Sequence, residues 1–180
     1  MTNFNIQPIL ENEKVSLLPL EENDFDGMYS IASDPKIWEQ HPNKDRWQKE
    51  EFTNFFEGAI LSKGAFKIID KRTNEMIGGT RFYDYNEEED LIFIGYTFFT
   101  RTYWGTGINP SVKAMMMNYI FQYVSRVGFH VGAGNIRSQI AVGRIGGEKT
   151  AERETAYFKE KSQINYIYEI TRSKWESINL

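Results

Sequence analysis

The segment that most constrains the fold is RTYWGTGINPSVKAMMMNYI, residues 101–120, in which a Gly-X-Gly turn separates an apolar run from an amphipathic helix. Gly105 and Gly107 can adopt positive φ and let the backbone approach a ligand closely. Asn109 is a favoured N-cap and Pro110 a favoured first helical residue, so we expect the helix to begin there. Apolar residues then recur at helical spacing and predict one buried face: Val112, Met115, Met116, Tyr119, Ile120, Tyr123 and Val124.

Strand and helix patterns alternate on both sides of this segment. Before it, apolar and β-branched runs predict strands at 14–20, 64–70, 75–85 and 90–99, and helical spacing predicts helices at 22–33 and about 45–61. After it, the patterns predict a strand at 126–133, a short helix at 136–145 and strands at 154–158 and 164–171. The three strands between 64 and 99 are joined by short polar turns and are expected to be antiparallel. The order predicts an α+β fold with a mixed sheet and a single domain over residues 1–180.

Composition excludes several functional classes. The chain has no cysteine, which removes disulfides, thiolate metal sites and a cysteine nucleophile. Its two histidines, His41 and His130, are too few for a multi-histidine site, so no metal is expected, although carboxylate-bound magnesium is still formally allowed. The net charge of −4 argues against a nucleic-acid partner. Neither a signal peptide nor a membrane-spanning apolar stretch is recognisable, so we expect no membrane partner and a cytoplasmic location.

The Gly-X-Gly turn is placed to bind an anion. Free N–H groups and the positive end of the helix dipole face the turn, so a phosphate or pyrophosphate is the natural occupant. For an isolated Gly-X-Gly, a plain strand-to-helix connection is the alternative. A Walker loop does not fit, because counting from Gly105 puts Pro110 and Ser111 where Gly and Lys are needed. A dinucleotide fingerprint does not fit either, because Pro110 replaces its third glycine.

Two longer stretches together resemble a known family. IGYTFFTRTYWGTGINPSVKAMMMNYIFQ, followed by HVGAGNIRSQIAVGRIG, is similar to the GNAT acetyltransferases, in the branch of the RimJ/RimL-type ribosomal-protein N-terminal acetyltransferases. The shared pattern is Ile-Gly-Tyr on a strand, a Tyr-Trp-Gly-X-Gly turn, a long helix, and Asn-X-X-Ser opening a shorter helix. The resemblance extends over nearly the whole chain. It implies a GNAT-like α+β fold, with a mixed, mostly antiparallel central sheet flanked by helices and splayed between two central strands.

The resemblance also implies acetyl-CoA as cosubstrate. Backbone amides of the turn would bind its pyrophosphate, and a backbone N–H near Phe98 or Phe99 would stabilise the developing oxyanion. The expected binding residues are Phe98, Phe99, Thr100, Trp104, Gly105, Thr106, Gly107, Ile108, Asn109, Asn135 and Arg144. Whether Arg101 also contacts phosphate is left open.

The catalytic residues implied by the resemblance are fewer. Ser138 would protonate the departing thiolate, and Asn135 would bind the pantetheine arm or orient Ser138. The general base is open, because Phe93 stands where the branch often carries Glu. The candidates are Glu39 and His41 in the acceptor loop, Glu89, Asp90, Tyr157 and a water relay.

The expected function is an acetyl-CoA-dependent N-acetyltransferase that moves an acetyl group to a primary amine by direct attack in a ternary complex. The amine is a protein N-terminus or a small molecule. The alternative is a catalytically inactive CoA-binding or regulatory module, motivated by Phe93 and by Gly147 where the family often has Phe. The loop IWEQHP, residues 37–42, indicates either a covered pocket or a homodimer contact, and the turn NEEED, residues 86–90, either a solvated hairpin or part of a groove for cationic acceptors.

Overall fold

A computed structural model describes residues 4–178, which form one mixed eight-stranded sheet with helices on both faces. The strands are β1 (Leu10–Glu11), β2 (Val15–Pro19), β3 (Ala65–Asp70), β4 (Glu75–Asn86), β5 (Leu91–Phe99), β6 (Arg126–Gly132), β7 (Glu148–Thr155) and β8 (Gln163–Thr171). The helices are α1 (Phe25–Ala32), α2 (Pro35–Trp38), α3 (Lys49–Ser62), α4 (Ile108–Ile120), α5 (Ile136–Arg144) and α6 (Arg172–Ile178).

The sheet order is β1-β2-β3-β4-β5-β6-β8-β7. The β5–β6 pair is parallel and the other neighbouring strands are antiparallel. The chain between β5 and β6 contains α4, which supplies the long crossover that a parallel connection needs. None of the helices within residues 4–178 is long and apolar enough to cross a bilayer.

The two largest apolar cores lie on opposite faces of the sheet. The larger one packs the buried side of α4 on the central strands, and the smaller one packs α1, α2 and α3 on the other face. Successive side chains of β3 point to opposite faces of the sheet, so Phe66 and Ile68 enter the larger core and Ala65 enters the smaller one. The middle of β4, from Ile77 to Tyr83, is buried throughout, as expected for a strand covered on both faces.

The prediction of an α+β fold with a mixed, mostly antiparallel sheet is confirmed, and so are the strands before the Gly-X-Gly turn. The strand predicted at 154–158 is wrong, because the strand that pairs with β8 is Glu148–Thr155. This edge strand, EKTAERET, is mostly exposed and charged, which is common at a sheet edge and hides it from a search for apolar runs. The sequence patterns also missed β1, α2 and α6.

Replacing Met116 by Ala should test how strongly the stability of the fold depends on the packing of α4 against the sheet. Met116 is fully buried between α4 and the sheet, so the change leaves a cavity and should lower the free energy of unfolding by about 2–5 kcal/mol. Urea denaturation measures the loss. Leu61→Ala, at a residue of α3 that is 66% exposed, is the matched control and should change stability by less than about 0.5 kcal/mol. Equal losses in the two variants would contradict the packing described for α4.

Candidate functional site

The central feature of the site is the separation of β5 from β6. Their pairing ends at Phe93 and Gly128, after which β5 continues beside β4 to Phe99 and β6 continues beside β8 to Gly132. Because each strand stays with its outer neighbour, their inner edges diverge and form a wedge. Backbone N–H and C=O groups along these edges need partners other than the sheet. The splay expected between the two central strands is therefore present.

A bulge in β5 lies inside this wedge. Tyr96 has a φ of 53°, and two residues of β5, Tyr96 and Thr97, oppose the single residue Thr80 of β4. The extra residue reverses the alternation of the strand, so Ile94 and Phe99, five positions apart, both enter the core beneath α4. Tyr96 faces the opposite side of the sheet, where it packs against the smaller core and against a third buried cluster, formed by Tyr83, Leu91, Phe93 and Ile167.

The Gly-X-Gly turn follows β5 and opens α4. Gly105 and Gly107 have φ values of 72° and 83°, which favour glycine, and Gly107 is the N-cap of the helix. The helix begins at Ile108, so the predicted start at Asn109 and Pro110 is wrong. Because Gly107, with its left-handed backbone, is the N-cap, the helix begins two residues earlier than it would with Asn109 as the N-cap.

The N-terminus of α4 is open to a ligand. No side chain caps it, and the N–H groups of Ile108 and Asn109 have no acceptor among the described residues. A Cβ built on Gly105 or Gly107 would meet nothing within 4 Å, so there is space against both residues. Uncapped N–H groups beside open space at a helix N-terminus fit a phosphate group.

Asn135 and Ser138 lie at the start of α5, directly after β6. The Asn135 side chain is the N-cap and accepts a hydrogen bond from the Ser138 N–H at 3.1 Å. Asn135 therefore fixes the backbone at Ser138, and the Ser138 hydroxyl has no hydrogen-bond partner within residues 4–178. Arg144 is exposed in the last turn of α5, roughly 9 Å along the helix from Ser138.

Arg137 and Trp104 connect the two segments that follow the splayed strands. The Arg137 guanidinium lies 4.4 Å from the centre of the Trp104 ring, donates to the Ile37 carbonyl at 3.3 Å, and approaches the Glu39 carboxylate at 3.8 Å. These contacts join the Gly-X-Gly turn, α5 and the loop after α2 at the open end of the wedge, where β5 and β6 end; we call this end the mouth of the wedge. Arg101, whose phosphate contact was left open, is paired with the carboxylate of Asp34.

The loop between α2 and α3, residues 39–48, is anchored by a buried ion pair that the sequence did not reveal. Arg46 is 1% exposed and donates to both carboxylate oxygens of Glu160, at 2.8 and 2.9 Å. A third bond joins the Arg46 guanidinium to His41 Nε2 at 3.0 Å. The Arg46 guanidinium also lies 5.5 Å from the Trp38 ring and 5.9 Å from the Tyr157 ring. The loop before α3 and the connection between β7 and β8 are thereby held together.

This geometry disfavours His41 as the general base. Its Nε2 lone pair faces Arg46, and its Nδ1 lies 3.1 Å from the Asn43 carbonyl, to which it can donate. Burial, followed by the charge of Arg46, holds the pKa of His41 well below 6.5. Trp38 is 3% exposed and its ring N–H donates to the Ala32 carbonyl, so this aromatic side chain is buried within the chain itself.

Other base candidates lie away from the wedge or are held neutral. Glu89 and Asp90 precede β5 and so lie near the end of the strand that pairs with β6. Phe98 lies near the other end of β5. The turn 86–90 is for the same reason not part of a groove at the wedge. Burial, with a contribution from Tyr96, raises the pKa of Tyr157 far above 10, and its hydroxyl donates to Asn165 Oδ1 at 3.1 Å. Glu39 remains exposed near the mouth, with Lys36 at 3.3 Å.

An aromatic cluster lines the sheet face toward which Tyr96 points. His130 stacks on Phe93 with ring centres 4.2 Å apart, and its Nδ1 lies 3.1 Å from the Tyr83 hydroxyl. Burial, with a smaller effect from Arg153, lowers the pKa of His130 to about 4, so this histidine is neutral near pH 7. Phe93, which replaces the Glu that is frequent in the branch, is therefore a packing partner of His130.

Comparison with known proteins identifies the family. The sequence pattern of the acetyltransferase (GNAT) domain matches residues 14–148, which is most of the chain. The chain belongs to the GNAT acetyltransferase domain family and is an acetyltransferase of this class.

Solved structures agree on the fold. A GCN5-related N-acetyltransferase from Brucella melitensis matches 98% of this chain and 86% of its own with a TM-score of 0.80 at 19% identity. Mycobacterium smegmatis RimJ in complex with CoA-disulfide matches 93% of this chain and 87% of its own, with a TM-score of 0.67 at 16% identity. Spermidine N-acetyltransferase from Vibrio cholerae, in complex with CoA and spermine, matches 92% of this chain and 99% of its own, with a TM-score of 0.69 at 15% identity.

Replacing Arg46 by Met should test the buried ion pair. Removing the guanidinium leaves the Glu160 carboxylate, with a side chain 4% exposed, without its cation, and should lower the free energy of unfolding by about 3–5 kcal/mol. Lys159→Met is the matched control, since it breaks the neighbouring Lys159–Glu57 pair, whose side chains are 52% and 47% exposed, and should cost less than about 1 kcal/mol. Chemical denaturation of both variants measures the difference, and similar losses would contradict a buried anchor.

Proposed function

We propose that this acetyltransferase uses acetyl-CoA and moves its acetyl group to a primary amine by direct attack in a ternary complex. The observation that carries the proposal is the wedge between β5 and β6, which leads to the uncapped N-terminus of α4. Open space beside Gly105 and Gly107 and free N–H groups at Ile108 and Asn109 suit the pyrophosphate. The diverging strand edges supply backbone hydrogen bonds for the pantetheine arm.

The proposed chemistry places the thioester near the bulge of β5, against the backbone N–H groups expected near Phe98 and Phe99. The amine nitrogen attacks the thioester carbon, and the N–H groups stabilise the oxyanion that forms. When the C–S bond breaks, the Ser138 hydroxyl gives its proton to the CoA thiolate. The proton lost by the amine restores the hydroxyl through water. We assign the first deprotonation of the ammonium to a water relay toward Glu39, because the His41 lone pair is occupied.

The acceptor amine is proposed to enter on the side of the aromatic cluster, beneath the loop held by Arg46 and Glu160. Both a protein N-terminus and a small amine remain in the proposal. The resemblance to the ribosomal-protein N-terminal acetyltransferases supports the first class, and the spermidine N-acetyltransferase, at 15% identity, supports the second. We propose separately that the protein forms a homodimer, and analytical ultracentrifugation measures its molecular mass in solution.

Titration calorimetry with acetyl-CoA, with NAD and ATP as controls, tests the cosubstrate, and replacing Gly107 by Ala tests its site. Wild type should bind acetyl-CoA selectively. The Cβ of Ala would strain the left-handed backbone at φ 83° and displace the N–H groups of the turn, so Gly107→Ala should weaken binding about tenfold or more.

Gly134→Ala is the matched control, since Gly134 lies in the turn between β6 and α5, its φ is not positive and a Cβ there meets nothing within 4 Å. This variant should bind as wild type does. Selective binding of NAD or ATP, or no binding of acetyl-CoA by the folded protein, would contradict the proposed cosubstrate.

Replacing Ser138 by Ala should separate catalysis from binding. Release of CoA thiol in the presence of an amine measures turnover, and loss of the general acid should lower kcat about 10²-fold while acetyl-CoA affinity changes little. Ser177→Ala, at an exposed serine of α6, is the control and should leave kcat unchanged. Acetyl-CoA binding without turnover on any amine in a broad screen would favour the inactive CoA-binding module instead.

A further inference from the structure

Lys113 is a buried cation in the wedge. It lies in α4 and is 8% exposed, and its Nζ donates to Thr97 Oγ1 of β5 at 2.5 Å. On the side of β6, the Nζ lies 5.9 Å from the centre of the Phe129 ring. Thr97 and Phe129 both come after the last β5–β6 pair, Phe93 and Gly128. The ammonium therefore lies beneath the point where the two strands diverge.

Thr97 holds this ammonium from one side only. Its hydroxyl also contacts Thr80 Oγ1 at 2.8 Å and the Gly95 carbonyl at 3.3 Å, which ties Lys113 to the bulge of β5. An ammonium has three donors, and Thr97 is the acceptor that the described residues provide. The remaining donors need acceptors, because unsatisfied polar groups are costly in a buried site.

Lys113 also has no counter-ion among residues 4–178. No described carboxylate forms an ion pair with it, and the neighbours of its Nζ on β5 and β6 are the uncharged Thr97 and Phe129. Burial alone lowers its pKa from 10.5 to about 7. One helical turn earlier, the buried side-chain oxygen of Asn109 has no hydrogen-bond partner among the residues that the structure describes. The i, i+4 spacing puts this free acceptor on the same face of α4 as the incompletely bonded donor.

We infer that Lys113 is a positioning residue of the acetyl-CoA site, whose ammonium donates a hydrogen bond to a carbonyl oxygen of the pantetheine arm in the wedge. The inference rests on the proposed function and deepens it. An amide of that arm carries one carbonyl acceptor and one N–H donor, which match Lys113 and the free oxygen of Asn109. The contact would fix the arm from the α4 side, while the strand edges bind it from the sides.

Proton uptake on binding follows from this contact. A carbonyl partner stabilises the ammonium and raises its pKa above the value of about 7 in the free protein. Near pH 7 roughly half of the free molecules carry the neutral amine, so binding should take up as much as about half a proton per site. At pH 5 the amine is already charged, and uptake from Lys113 should vanish.

Calorimetry in two buffers of different ionisation enthalpy measures this uptake. The probe is acetyl-dephospho-CoA, because the 3′-phosphate of acetyl-CoA would itself titrate near pH 6. Wild type should take up protons at pH 7. Lys113→Met should take up none, and it should bind the probe about tenfold more weakly because a charged hydrogen bond is lost. In turnover assays its KM for acetyl-CoA should rise more than its kcat falls.

Lys67→Met is the matched control. Lys67 is a mostly buried lysine with its own carboxylate partner, Asp24, at 2.8 Å, and it lies in β3 outside the wedge. This variant should retain the proton uptake and the affinity of wild type. Lys113→Met should also melt at an equal or higher temperature without ligand, since it removes an incompletely bonded buried amine, whereas a purely structural lysine predicts a lower melting temperature.

Wild-type protein that binds the probe with no proton uptake between pH 6 and 8 would overturn the inference and leave the proposed function standing. The same holds if Lys113→Met keeps the uptake. If neither acetyl-CoA nor the probe binds to folded wild type, the proposed function fails and this inference fails with it. Because the absence of uptake in wild type is enough to overturn the inference, the inference stays falsifiable even if the variant does not fold.

Discussion

The separation of β5 from β6 after Phe93 and Gly128 is the constraint on which the rest of the site depends. A sheet normally satisfies its own backbone groups, and two central strands that part inside a protein leave such groups facing each other across a gap. The gap persists because β4 and β8 hold the outer edges of the two strands. An extended ligand with its own donors and acceptors can complete the hydrogen bonding there. The helix N-terminus just beyond β5 then adds a place for the anionic end of such a ligand.

The surroundings of the wedge disfavour positive charge. Burial is the largest cause that lowers the pKa of His41, His130, Arg81 and Lys113, on both faces of the sheet. Of the fully buried basic side chains within residues 4–178, which are Arg46, Arg81 and Lys113, only Arg46 has a carboxylate partner. Its pair with Glu160 holds the loop before α3 in place. An ammonium entering this environment would lose its proton more readily than in water. This property suits a reaction in which the nucleophile must be a neutral amine.

The sequence predicted those parts of the fold that carry a local signal. Apolar runs gave the central strands, and the 3.6-residue period gave α4 and its buried face, including Met116 and Ile120. The start of α4 was misplaced by two residues because both Asn109 and Gly107 are acceptable N-caps, and the choice depends on the backbone angle of the preceding turn. The edge strand β7 was predicted at the wrong residues because its sequence is charged and carries no apolar pattern. Only its pairing with β8 defines it.

The sequence by itself determined the strand, glycine turn and helix that define the class of fold, because side-chain period and glycine conformation act over a few neighbouring residues. Only the tertiary structure decided which charged groups are buried and paired. Arg46 meets Glu160 across 114 positions of the chain, and Lys113 meets Thr97 only because α4 packs across the wedge. The bulge at Tyr96 arises from the register between β4 and β5, which neither strand encodes alone. Contacts of this kind depend on the packing of whole elements, and local patterns carry no signal for them.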